Sequence, residues 1–168
     1  MNTDELARID APPTNTRPTL AWEFDVDLGG SPAGVVSRIR QAVRQIAQLE
    51  DAAEWLNAQD KTRWPTWLSD CFPELTIEET DKLIAETSRD RWKDLPWLFP
   101  AWIDAISNRG WRWWTIDESD GLVTIVLSVV DLPVRIEAFK KLVTCAGATI
   151  VQERKPDESH IASGSKRA

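Results

Sequence analysis

Trp111-Arg112-Trp113-Trp114-Thr115-Ile116-Asp117 alternates as a strand, Glu118-Ser119-Asp120-Gly121 is a turn, and residues 122–130 form a second, β-branched strand. This hairpin decides the fold. After it, Asp131-Leu132-Pro133 opens a helix over 133–146 that stops at Gly147, and residues 148–153 read as a return strand. Val123, Ile125, Leu127 and Val129 make one apolar face of the second hairpin strand. Leu122, Val126 and Val130 give its other face more apolar weight than a solvated surface carries, so both faces of the sheet need cover.

Upstream, residues 20–28 alternate as well, with Trp22, Phe24, Val26 and Leu28 on one side and Glu23, Asp25 and Asp27 on the other. Gly29-Gly30 turns the chain, and Ser31-Pro32 starts a helix over 32–49 whose stripe is Val35, Val36, Ile39, Val43, Ile46 and Leu49. That helix runs on or breaks near Glu50-Asp51. Thr76-Ile77-Glu78-Glu79 has capping-box spacing for a helix to about Thr87, and a further helix over 97–108 ends at Gly110. Between them Trp64-Pro65 and Phe72-Pro73 interrupt any long element.

The order is therefore βαββαβ with an insertion, an α+β, ferredoxin-like sandwich of two helices on a four-stranded antiparallel sheet. The expected domain covers 19–154. Residues 1–18 read as a flexible arm and 155–168 as a disordered tail. The Trp-rich helical insertion, 55–94, is expected to cover the second sheet face.

The 168 residues carry a formal charge of −7. That disfavours a grip on double-stranded nucleic acid or an anionic membrane, and no apolar run has the length of a bilayer span. The acidic N-terminus lacks the order of a signal peptide, and Cys71 and Cys145 read as reduced, buried thiols of a cytoplasmic protein. Walker, GxGxxG, GxSxG, HExxH and CxxC motifs are missing, so no cofactor is expected. The single histidine, His160, lies in the tail, which argues against a triad or a histidine metal site.

Carboxylates are the remaining catalytic groups. Asp25 and Asp27 on the first strand, with Asp117, Glu118 and Asp120 at the hairpin, could converge on a divalent cation. Their placement resembles that of the metal-binding acids of nucleotidyl-transferring palm domains. The matching Gly-rich hairpin sequence is missing, and no lysine or arginine close by grips a triphosphate. Acids on a wet strand face and in a turn are the plainer reading.

Nine of the ten tryptophans fall between positions 55 and 114, in a stretch with eight basic and ten acidic residues. Arg63-Trp64 and Arg91-Trp92-Lys93 interleave cations with rings, a pattern that can stack single-stranded bases, but the local charge is unfavourable. Most such rings belong to a core. Those left at the surface beside arginine have the composition of interface hot spots. The sequence thus favours a non-catalytic module of the immunity, antitoxin, adaptor or chaperone-like kind that binds another protein, with Arg63, Trp64, Trp67, Arg91 and Trp92 as contact residues. An open sheet edge offers a route to a homo-oligomer. A metal-dependent phosphotransfer enzyme using Asp25, Asp27 and Asp117, and a small-molecule sensor with an aromatic pocket, are the alternatives.

Overall fold

A computed structural model describes residues 3–119 and 122–157. Asp120 and Gly121 of the expected turn, and the tail from 158 with His160, lie outside the described residues. Four antiparallel strands, β1 (Ala21–Asp27), β2 (Trp111–Ser119), β3 (Leu122–Val129) and β4 (Thr149–Arg154), form one sheet in the order β2-β3-β1-β4. The fold is α+β. Helix α2 (Pro32–Gln48) follows β1, the short helices α3 (Ala52–Asn57) and α4 (Thr66–Ser69) come after it, and α7 (Ile136–Cys145) joins β3 to β4.

Strand alternation places Phe24 and Val26 of β1 beside Ile125 and Leu127 of β3 on the helix-covered face. Phe139 of α7 meets Phe24 and Trp111 there, with ring centroids 5.5 and 5.0 Å apart. The α2 stripe, Val35 to Ile46, closes the same core. Strict alternation fails in β2. A register shift between Trp113 and Thr115 leaves Trp114 as an extra residue. Trp113 and Ile116 therefore both reach the core, while Trp114 is only half-buried.

The N-terminal segment is not a free arm. Helix α1 (Thr3–Asp10) packs against β2 and α2, with Ile9 fully buried. Glu5, 2% exposed, accepts the Trp113 N–H at 2.8 Å, a donor that the edge strand β2 turns away from β3. Residues 11–18 then cross the second sheet face. Thr14 N–H donates to the Thr115 hydroxyl, the Trp114 indole donates to the Thr16 carbonyl, and Arg17 pairs with Glu23. Val126 and Thr115 are buried beneath them. Of the apolar residues expected to need cover on the second face only Val126 is buried, and the N-terminal segment rather than the insertion covers it, while Leu122 and Val130 stay exposed.

The insertion packs elsewhere. Trp64 and Phe72 form a ring cluster with Phe99 and Trp102 of α6 (Phe99–Ser107), at centroid distances of 5.4 to 6.3 Å. The Trp102 indole donates to the Ala138 carbonyl of α7 at 2.9 Å. Beside this cluster Cys71 and Cys145 are joined in a disulfide, 74 positions apart in sequence. The expectation of reduced thiols is corrected, and with it goes the thiol argument for a cytoplasmic setting. Closing a loop of this length removes about 4 kcal/mol of unfolded-state entropy. Among the described residues no helix is long and apolar enough to cross a membrane.

Helix α7 starts three residues later than the sequence suggests, because 131–135 pack as a loop against Gly110. Gly110 has φ +71°, and a Cβ there would lie 2.6 Å from the Asp131 carbonyl oxygen. No other residue type fits that approach.

Candidate partner-binding groove

Residues 73–96 behave unlike the rest of the insertion. Thr76 and Glu79 form the expected reciprocal capping box and start α5 (Ile77–Glu86). Ile77, Thr80, Leu83 and Ile84 recur at helical spacing, yet no residue of α5 is fully buried. A 3-10 stretch, Arg89–Asp94, and the extended Leu95-Pro96 return the chain to α6. Between α5, this return segment and the start of α6 lies an open groove of about 850 Å³. Leu83, Ile84, Trp92, Trp97 and Leu98 line it, with Glu137 of α7 at its rim.

Trp92 is 44% exposed and held by its own surroundings. Its indole donates to the Thr87 carbonyl at 3.0 Å, and the Arg89 guanidinium sits 5.6 Å from the ring centroid. Seven acids face four bases over residues 73–96. Two of the bases are engaged in exposed pairs, Lys82–Glu86 and Arg91–Asp94, which stabilise by well under 1 kcal/mol each. The groove lining is mainly apolar, with Lys93, Asp94 and Glu137 as its charged members, and the segment 73–96 carries a net charge of −3.

The expected contact residues fall in three places. Trp64, 4% exposed, belongs to the core, with its indole donating to the Ala58 carbonyl. Trp67 is half-buried and donates to Gln41 of α2, while Arg63 is exposed and its carbonyl accepts from Gln45. Arg91 is exposed beside the groove, and of the five only Trp92 lines it. Leu83, Ile84, Trp97 and Leu98 were not singled out in the sequence. For Leu83 and Ile84 the signal was helical spacing in a capped helix that has no obvious apolar partner, whereas Trp97 and Leu98 lie just before α6.

The acids of the sheet are arranged for pairing. Arg154 donates to both carboxylate oxygens of Asp25 and to Glu23, and the Thr124 hydroxyl donates to Asp25 at 2.7 Å. The Arg154 hydrogen bond holds the Asp25 carboxyl below the usual carboxylate range, against the opposing effect of burial. Burial raises Glu23, but hydrogen bonds from Arg154 and Arg17 more than reverse it. Asp27 accepts the Gly29 N–H across the turn. Asp117 stands opposite Thr124 of β3, which itself stands opposite Asp25, so a whole strand separates the two acids. That spacing is roughly 9 to 10 Å across two strand intervals. Among the described residues, no three His, Cys, Asp or Glu side chains gather as a metal-ligand set.

A second charged cluster sits at the start of β2. Arg109, 6% exposed, pairs with Glu5 at 2.7 Å, and Arg112 lies 3.8 Å from the same carboxylate. Burial pushes the Arg109 guanidinium down to about 10, with the Arg112 charge adding to the fall and Glu5 opposing it.

Compared with models of protein families, with curated proteins and with solved structures, the chain matches none.

Proposed function

We propose that this protein is a non-catalytic binding module that takes another protein in the groove between α5 and α6. Its βαββαβ order, with β1 between β3 and β4, supports a ferredoxin-like frame on which the insertion is mounted. The observation that carries the reading is a capped amphipathic helix with no fully buried residue, facing a half-exposed tryptophan across an apolar groove. Such a groove matches an amphipathic helix, whose anchors lie at three- and four-residue spacing. The net negative charge of residues 73–96 favours basic residues flanking those anchors. Arg91, beside the groove, and Arg63 and Trp67, on the neighbouring part of the insertion, are candidates for an outer contact ring.

A photo-crosslinking residue at Lys93, on the groove wall, identifies the bound protein and the segment that touches it. With that partner purified, Trp92→Ala and Ile84→Asp weaken binding roughly tenfold or more, about 1.4 kcal/mol each. Unchanged affinity in both folded variants would remove the groove from the interface. The volume also lies within the range of small-molecule sites, roughly 300 to 1,000 Å³. A small apolar ligand that saturates the groove, with no protein crosslinked at Lys93, would favour the sensor reading instead. A phosphotransfer centre at Asp25, Asp27 and Asp117 has less support, since Arg154 and the Gly29 N–H already engage the first two acids.

A further inference from the structure

We propose that a second site on this chain, at the junction of α6, β2 and the loop before α7, binds a phosphate group. A depression of about 310 Å³ there is lined by Arg109, Arg112 and Arg135, with Ser107 and Asn108 at its side. Three arginines around one small cavity stand out in a chain with a net charge of −7. The site shares no lining residue with the partner groove and does not depend on it.

The three guanidinium groups are prepared to different degrees. Arg109 is fixed: Nε donates to the Trp111 carbonyl, Nη2 donates to Glu5, and the group lies 5.1 Å from the Trp111 ring centroid. Arg112 shares both acceptors, with Nη1 on the Trp111 carbonyl and Nε near Glu5, so the two cations are held side by side. Its side chain is 36% exposed. Arg135 is exposed and pairs with no described residue, while its backbone N–H is anchored to the Arg109 carbonyl.

Three acids stand near these charges, of which only Asp131 lines this cavity, Glu50 lining an adjoining depression with Arg109 and Arg112. The Glu5 carboxylate is taken by Arg109, Arg112 and the Trp113 N–H, and Asp131 Oδ1 accepts the Leu132 N–H. The cavity lining itself, three arginines against Asp131, is positive. Planar guanidinium forks fixed beside one another match a tetrahedral oxyanion, which accepts from several donors at once. The Gly110 turn keeps the loop carrying Arg135 close to Arg109, because a side chain at Gly110 would collide with Asp131 and Pro133.

Calorimetric titration with inorganic phosphate, and separately with a simple phosphomonoester, tests the site against chloride at matched ionic strength. One saturable site per chain is expected, and the tighter of the two ligands tells whether the cavity holds a free anion or a terminal phosphate group. Arg135→Gln and Arg112→Gln should each weaken binding roughly tenfold, whereas Arg91→Gln, beside the groove, leaves it unchanged. Arg135→Gln breaks no described contact, so its melting temperature in the absence of phosphate stays at the wild-type value. It decides the question if Arg112→Gln folds poorly. No saturable binding of either ligand beyond chloride, or undiminished binding in Arg135→Gln, would overturn the proposal.

Discussion

Two parts of the insertion each carry tryptophan and leucine, and these side chains meet opposite fates. Residues 58–72 bury Trp64, Leu68 and Phe72, the two rings against α6, and the Cys71–Cys145 bridge ties the segment to α7. Residues 73–96 are richer in charge but also carry large apolar side chains, Leu75, Ile77, Leu83, Ile84, Trp92 and Leu95, and none of them is fully buried. The difference lies in what the rings meet. Trp64 finds Phe99 and Trp102 within ring-contact distance and a carbonyl for its indole, whereas Trp92 is held by near neighbours in sequence, Thr87 and Arg89. Tryptophan content marks a segment that needs a partner. Whether that partner is the core or another molecule is decided by distant residues.

The sharpest way to break this comparison is to truncate one ring in each part. Trp64→Ala should cost about 3 to 5 kcal/mol, as large aromatic truncations in packed cores do. At roughly 2 to 4 °C per kcal/mol for a chain of this size, the melting temperature falls by about 6 °C or more. Trp92→Ala should move it by at most about 2 °C, since a half-exposed ring leaves no cavity. Equal losses in the two variants would erase the distinction.

Glu5→Ala probes the other segment whose role depends on distance. It strands the buried Arg109 charge and the Trp113 N–H, and a broken buried pair costs roughly 3 to 5 kcal/mol. Thermal unfolding of Glu5→Ala beside Asp4→Ala, a neighbour on the exposed side of the same helix, separates this from a mere change in helix charge. A loss no larger than that of Asp4→Ala would mean that α1 is not anchored at β2.

The smallest effect is expected on the sheet face. Asp25 and Glu23 have folded pKa values below their ordinary ones, so their stabilisation is fully present above the unfolded carboxylate range. It is lost as pH falls through the lower folded values, that is, below about pH 4. Melting temperatures measured from pH 6 downward should drop steeply there in the wild type. Arg154→Gln should start lower and lose less on acidification. Parallel curves would place the acid sensitivity elsewhere.

The frame was legible because its signals are local. Period-2 alternation in β1 and β3, the α2 stripe and the Thr76–Glu79 capping box each lie within a few residues of one another. What escaped depends on long-range meetings. The eight residues of α1 hold Leu6 and Ile9 as their only large apolar side chains, too short a pattern to mark a helix. Its buried Glu5 makes sense only beside Arg109, which lies 104 positions away. The register shift at Trp114 and the Cys71–Cys145 bridge are likewise set by the assembled sheet and helices. The same limit applied to the groove: Trp92 could be named from its neighbours, but Leu83, Ile84 and Leu98 needed the fold to show that α5 stays open.

Hydrogen exchange of the free protein, resolved by segment, tests the division of the insertion most directly. Amides of α5 should exchange through openings far less costly than global unfolding, while those of α6 and β3 exchange only near the global limit. Protection of α5 equal to that of α6 would contradict the account, because a helix that stable has already found its partner within the chain.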